Sequence, residues 1–332
     1  MKILLIGNWR DNTGPCNVNK ALIENSNGSL NYIKTKNKYL KSIEIIYKIL
    51  TSNVIIYSGS TYYFRLYHLI SKILNKKEIY ILHSYREFDN NINRLNLSPK
   101  KILLERYILN NVNAIICVSE KFKGWFERTY KGPTAPIFFV NNGIELCEYK
   151  NDSIDKKNII ALSGGNRNIK NNKFICDLVD QINKEMNTNI VVYIFGSIHS
   201  NNEEIKSKCA RLIGQLEKSE YYEKLSQCKL FICDSIVESF NLSVVDAINC
   251  KCNLLLNVNV GITSLLNLND NEIINEYLNK EEIKRKIIFG INNSQPRNYI
   301  INNYSWNDAF NKLYSICLDI YKNNIQEGND KN

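Results

Sequence analysis

The sequence predicts an α/β protein of two Rossmann-like domains. Three observations carry that prediction. Short runs rich in Ile and Val recur along the 332 residues, and they are continuously apolar, as strands buried on both faces of a parallel sheet are. Helical patterns separate one run from the next. The series is interrupted once, by the polar, charged stretch 149–157, and then begins again.

KILLIG (2–7) opens the first series. Its apolar run is too short for the core of a signal peptide, and Trp9, Arg10 and Asp11 follow at once, so it reads as a buried first strand. The next strands are NVIIYSG (53–59), EIYILHS (78–84), AIICVS (114–119) and PIFFVNN (136–142), with helices over 17–24, 38–50, 62–74, 99–109 and 120–130. The second series holds NIIALSG (158–164), IVVYIFG (190–196), LFICDS (230–235) and NLLLNV (253–258). From Gly214 the stretch GQLEKSEYYEKLSQC adds a strand end and a helix. SWNDAFNKLYSICLDIY closes the chain as a helix with Ser305 at its N-cap. The expected organisation is a basic N-terminal domain over 1–148, a C-terminal domain over 149–310 and a final helix over 311–326.

Composition narrows the function. The chain is 44% hydrophobic and 23% charged, enough apolar content for packed cores and too much for a disordered chain. No run approaches the roughly 18 to 20 apolar residues of a membrane span. Ten cysteines without a CxxC pair fit a reducing cytosol, and Cys250 and Cys252 read as buried thiols rather than metal ligands. The net charge of +10 is uneven: residues 1–150 hold 22 Lys/Arg and 11 Asp/Glu (22 − 11 = +11), and the remainder 21 and 22 (21 − 22 = −1). A basic half is either a solvated lysine-rich surface or one that meets an anionic membrane or acceptor. No nucleic-acid motif accompanies it.

Candidate site residues come from three stretches. In DSIVESFNLSVVDAINC (234–250) a strand pattern gives way to a helix near Asn241. A helix start presents unpaired N–H groups and about half a positive charge, which favours a phosphate. Glu238 before that start and Asp246 inside the helix are placed to accept hydrogen bonds from hydroxyls on either side of it; a cap residue and a surface carboxylate are the plainer reading. ALSGGNRNIKNNK (161–173) sets Gly164 and Gly165 after a strand, followed by Arg167, Lys170 and Lys173. Glycines admit a ligand close to the backbone, and the cations offset diphosphate charge. NWRDNTGPCNVNKAL repeats the device, with Gly14 before a helix.

These stretches resemble the family 4 retaining glycosyltransferases of the GT-B fold. ESFNLSVVDAINC looks like their Glu-x7-Glu signature, NNGIE (141–145) is similar to their Asn-Gly-Ile-Asp strand end, ILHSYREF carries a His where they have one, and AIICVSE and the terminal NYSW have counterparts in the same order. The resemblance spans residues 1 to about 322. It implies two Rossmann-like domains facing across a cleft, with the last helix returning toward the first domain. It implies that Lys170 and Arg167 hold the donor diphosphate, Glu238 the transferred sugar, Asp246 the ribose and His83 a sugar hydroxyl near the reacting carbon. Gly14, Gly164, Lys173, Leu216, Phe240, Asn241 and Leu242 would line the donor. Asp246 is shorter than the usual Glu, Arg167 sits two residues beyond the usual Gly-Arg pair, and Asn241 replaces a common Gly.

The implied reaction is a metal-independent, retaining transfer from a nucleotide-sugar, a UDP-sugar being favoured, with no other cofactor. Cations and helix dipoles would stabilise the leaving diphosphate. The acceptor would be a saccharide, lipid-linked in bacterial surface-polysaccharide assembly, and the enzyme cytoplasmic and peripheral to the membrane. The lysine-rich segment KTKNKYLKSIEIIYKIL (34–50) would either rest on that membrane or pack on the sheet. The alternative function is a non-catalytic GT-B subunit that stabilises a partner transferase.

Overall fold

The apolar runs fold as strands of two parallel sheets, all of them inner strands except 136–142, which forms the edge strand β6. The computed structural model describes residues 1–132, 135–147, 156–275, 277–293, 298–299 and 304–329. The first sheet holds β1 (Ile3–Ile6), β2 (Leu30–Tyr32), β3 (Val54–Ser58), β4 (Lys77–Leu82), β5 (Ala114–Cys117) and β6 (Ile137–Phe139), in the order β2-β1-β3-β4-β5-β6. Every neighbouring pair is parallel. β1, β3 and β5 are buried at each residue, which is why their sequences are uninterrupted by polar side chains. Crossover helices α1 (Gly14–Glu24), α2 (Lys38–Thr51), α3 (Phe64–Ile73), α5 (Pro99–Asn111) and α6 (Glu120–Thr129) connect them, with α4 (Arg86–Asn93) after β4.

The second sheet holds β7 (Lys157–Ser163), β8 (Val191–Phe195), β9 (Ala210–Gly214), β10 (Cys228–Cys233), β11 (Asn253–Asn257) and β12 (Ile273–Ile274), ordered β12-β11-β10-β7-β8-β9 and again parallel. α7 (Asn172–Met186), α8 (Lys218–Ser226), α9 (Leu242–Asn249) and α10 (Lys280–Asn292) complete it. Its core joins Ile160, Leu162, Leu230 and Ile232 of the central strands to Ile175 and Val179 of α7 and Ile287 of α10.

Five elements depart from the sequence reading: β2, α4, β12 and α10, which it does not include, and β9, of which it gives only the end at Gly214. The strands β2, β9 and β12 are all sheet edges. β2 buries only Leu30, β9 is exposed or half-buried throughout, and β12 has two residues. With solvent on one side, none of the three writes a long continuous apolar run. In α4, REFDNNIN has Asn93 as its buried residue, so no apolar stripe announces it.

The chain divides into two compact units. One comprises Met1–Arg86, Leu97–Ile144 and Tyr304–Asn332, the other Glu87–Asn96 and Glu145–Asn303. The predicted join at 148/149 lies outside the described residues. α11 (Trp306–Asn329) belongs to the first unit and packs on α1 and β4. Its start is capped reciprocally: Asp308 N donates to Ser305 Oγ at 3.2 Å, and Ser305 N donates to Asp308 Oδ2 at 2.9 Å. Gly143 lies against that start, where a Cβ would fall 2.5 Å from the backbone of Trp306. Ile144 N donates to Tyr304 O at 2.7 Å. The NNGIE and NYSW marks, 160 residues apart in the chain, are thus two sides of one contact.

Candidate functional site

Three loops meet at the carboxyl ends of β7, β8 and β9, and glycine is what lets them. Gly165 has φ +63° and donates its N–H to Phe195 O at 2.8 Å; Gly196 has φ +108° and donates to Gly214 O at 2.8 Å. A Cβ on Gly165 would sit 1.9 Å from Ser197 O. No side chain fits there. Gly164 (φ +90°) faces two cations instead: a Cβ on it would be 2.7 Å from Lys170 Cε and 3.0 Å from Arg167 Nη2. Arg167 Nε also donates to Gly164 O at 3.2 Å. The structure therefore brings Gly164, Arg167 and Lys170 together.

Lys170 ends a single turn of 3-10 helix, Asn168–Lys170, closed by Asn171 in the left-handed region (φ 54°). Its side chain is buried, and its ammonium donates to Glu238 Oε2 in a short ion pair. Ser235 Oγ donates to the same oxygen at 3.4 Å. The Glu238 backbone is clamped to the next loop, donating to Asn259 O at 3.2 Å and accepting from Gly261 N at 2.9 Å. Two turns from different strands thus present one cation and one carboxylate to each other. Ile236 N donates to Ile169 O at 2.9 Å and joins those turns through backbone.

Side chains that sequence reasoning gave no role hold this arrangement. Asp234, buried at the end of β10, accepts from Asn171 Nδ2 at 2.7 Å and from Asn257 Nδ2 at 2.9 Å. Burial raises its carboxyl pKa, while the two amide donors pull it down. Asn93, the last residue of α4, accepts from Ile169 N at 3.0 Å, and Asn168 Nδ2 donates to Ile92 O at 2.9 Å. A signal existed in the left-handed position of Asn171, but an Asn-rich chain conceals any one Asn.

Asn241 caps α9 from the left-handed region (φ 80°), its Oδ1 accepting from Ser243 N at 3.2 Å. The predicted helix start is therefore in place, one residue before Leu242, which is half-buried like Leu216. Phe240 is buried, and its carbonyl accepts from Ile262 N at 3.0 Å. Asp246 Oδ1 accepts from Tyr222 Oη at 2.5 Å. Burial raises the Asp246 pKa against the pull of that bond and of Lys218. Lys173 is directed elsewhere: it is exposed and paired with Asp177 at 3.4 Å and Glu203 at 3.9 Å.

The remaining predicted residues belong to the first unit. His83 follows β4, with Nε2 2.7 Å from Ser58 Oγ at the end of β3. Burial holds its pKa down at about 4, so the imidazole is neutral at physiological pH. Gly14 opens α1, whose N-cap Thr13 makes no side-chain capping bond, and a Cβ on Gly14 would meet nothing within 4 Å. That helix start is open to an approaching group. Among the described residues no three His, Cys, Asp or Glu side chains are grouped to hold a metal. Cys250 and Cys252 are buried free thiols. No described helix is long and apolar enough to cross a membrane.

Residues 148–305 match the family model described as Glycosyl transferases group 1. No curated protein sequence matches the chain. Among solved structures, Anabaena Alr3699/HepE in complex with UDP and glucose is 11% identical, with 99% of this chain and 100% of that one covered and a TM-score of 0.65. Sucrose-phosphate synthase from Thermosynechococcus elongatus gives 12%, 99%, 100% and 0.64. The pneumococcal O-GlcNAc transferase GtfA in complex with UDP and GlcNAc gives 14%, 84%, 60% and 0.56. At such identities the likeness is one of fold, that of the GT-B glycosyltransferases.

Proposed function

From a chain whose residues 148–305 match the family model of group 1 glycosyl transferases, we propose a transferase that takes a sugar from a UDP-sugar and passes it, with retention of configuration and without a metal, to a saccharide acceptor. The observation that carries this reading is the buried Lys170–Glu238 pair beside Gly164 and Arg167. A diphosphate entering at Gly164 meets two cations close to the backbone. Lys170 then shares its charge between the phosphate and Glu238, and Glu238 turns its remaining acceptor capacity to the sugar hydroxyls. As the glycosidic bond breaks, charge grows on the diphosphate, where Lys170, Arg167 and the α9 start stabilise it. The UDP bound in the HepE and GtfA structures supports the choice of base.

The retaining route is one in which the leaving phosphate takes the acceptor proton. His83, neutral, would donate to or accept from a sugar hydroxyl according to its tautomer. Asp246, tied to Tyr222, is the candidate for the ribose, and Gly14, at the open α1 start, is a candidate phosphate contact. The basic first 150 residues (+11) support an acceptor carried on a lipid, in bacterial surface-polysaccharide assembly, with the enzyme peripheral to the inner face of the plasma membrane.

Calorimetric titration with UDP-, GDP-, ADP- and CMP-sugars in EDTA tests the reading. UDP-sugars bind, and Lys170→Ala and Glu238→Gln each weaken them at least about tenfold, a charge-assisted contact being worth about 1.5–3 kcal/mol. No binding by any nucleotide-sugar moves the assignment to a non-catalytic subunit.

A further inference from the structure

The lysine-rich helix that either rests on a membrane or packs on the sheet does the second on one face and leaves a second apolar face bare. α2 buries Ile45 and Ile49. On its outer side Ile43, Tyr47 and Leu50 are exposed at positions i, i+4 and i+7. Its neighbour repeats the pattern: α3 buries Phe64 and Tyr67, while Leu66, Leu69 and Ile73 stand outside at i, i+3 and i+7, Ile73 being 74% exposed. The two helices pack together, with Tyr67 Oη donating to Ser42 Oγ at 3.3 Å and Lys76 Nζ to Leu50 O at 3.4 Å. The two bare stripes thus lie on helices that pack against each other. Scattered exposed leucines are ordinary; two aligned stripes on adjacent helices are not. Tyr39 and Tyr62, at the helix starts, extend them with the most amphipathic of the large side chains.

Charge selects the occupant. Residues 34–77 carry nine Lys/Arg and a single carboxylate, Glu44. Glu44 is ionised and already paired: burial opposes its ionisation, but Lys48 at 2.7 Å and the backbone amides of Lys34 and Thr35 outweigh it and hold the pKa at about 2. Lys36, Lys41 and Lys72 make no ion pair among the described residues. An apolar face rimmed by unpaired cations complements a surface that offers anionic groups above acyl chains. We propose that the outer faces of α2 and α3 form a lipid-inserting surface that seats the protein on an anionic bilayer. The inference rests on the peripheral placement proposed above and adds to it which residues enter the lipid.

Co-sedimentation of the full chain with vesicles of phosphatidylcholine alone, or with 30% phosphatidylglycerol (about the anionic content of a charged leaflet), tests it, with an Ile43→Gln, Leu66→Gln, Leu69→Gln triple variant alongside. The side chains are exposed, so the variant folds; unchanged thermal unfolding and UDP-sugar binding confirm that. The expected result is binding to the anionic vesicles only, weakened at least about tenfold in the variant, with a Tyr47→Trp chain quenched by brominated acyl chains more than its parent. Equal binding by parent and variant, or absence of that added quenching, overturns the surface and leaves the peripheral placement standing. Failure of the parent to bind at low salt sinks both, while donor binding is read separately by calorimetry. A concentration-dependent dimer that the variant abolishes, without vesicle binding, assigns the face to a second copy of the chain instead.

Discussion

On the proposed reading Lys170 is the residue on which most of the site chemistry turns, and its burial makes it costly to leave alone. With its side chain 6% exposed, an ammonium without a partner has lost most of its hydration. Glu238→Ala should therefore lower stability by about 2 kcal/mol, below the 3–5 typical of breaking a buried pair because Glu238 itself keeps 19% exposure. Glu238→Gln, which retains an acceptor oxygen, should cost less; urea denaturation of the two variants separates charge from shape. His83 makes a pH prediction. Its folded pKa of about 4 lies below the ordinary 6.5, so between those values the unfolded chain binds a proton that the folded chain refuses. Stability is full above pH 6.5 and falls as pH drops toward 4. His83→Gln should flatten that slope in unfolding titrations at pH 7 and pH 4.5, and an unchanged slope would falsify the assignment of a desolvated, neutral imidazole. The sequence made Lys170, Arg167 and Glu238 visible because charge next to glycine or a helix start is unusual. It hid Asp234, whose importance lies in which amides reach it.

At the scale of elements, the meeting of the β7, β8 and β9 loops is a backbone junction and should be the least tolerant part of the second unit. Gly165 and Gly214 both have positive φ, +63° and +82°, but only at Gly165 does a Cβ collide with backbone. Gly214→Ala should cost about 1 kcal/mol of conformational strain. Gly165→Ala adds a steric clash that must move a loop, and should cost at least about 2 kcal/mol more; equal midpoints in denaturant would contradict the junction. Asn241 is a third case. It caps α9 from φ 80°, a region Asn tolerates better than most residues. Asn241→Ala loses the cap and worsens the strain together, about 2 kcal/mol in sum, whereas Asn241→Gly relieves the strain and should be close to neutral. Helices and central strands were legible from periodicity, since their burial is complete or one-sided. Of the edge strands, β6 was legible as an apolar run, but β2, β9 and β12 were not, because half their side chains face water.

For the whole molecule, two separate cores predict that a donor bound to the second unit stabilises that unit. At a hundred times its dissociation constant, a UDP-sugar should add about 2.7 kcal/mol to the unfolding of the second unit. Hydrogen-exchange protection should rise in the loops around Gly164–Lys170 and Glu238–Ser243. Protection spread evenly through β1–β5 would place the donor elsewhere. What the sequence determined by itself was the alternation of strand and helix, the break between two series, the basic first half and the cations beside the glycines, since each depends on neighbours along the chain. Tertiary structure decided the rest. That Lys170 meets Glu238, that Asp234 holds the turn carrying Lys170, that Gly143 admits Trp306, and that α2 and α3 bury one apolar face and bare another all depend on segments far apart in sequence. Periodicity records how much of a helix is apolar; only packing decides which of two apolar faces the sheet covers.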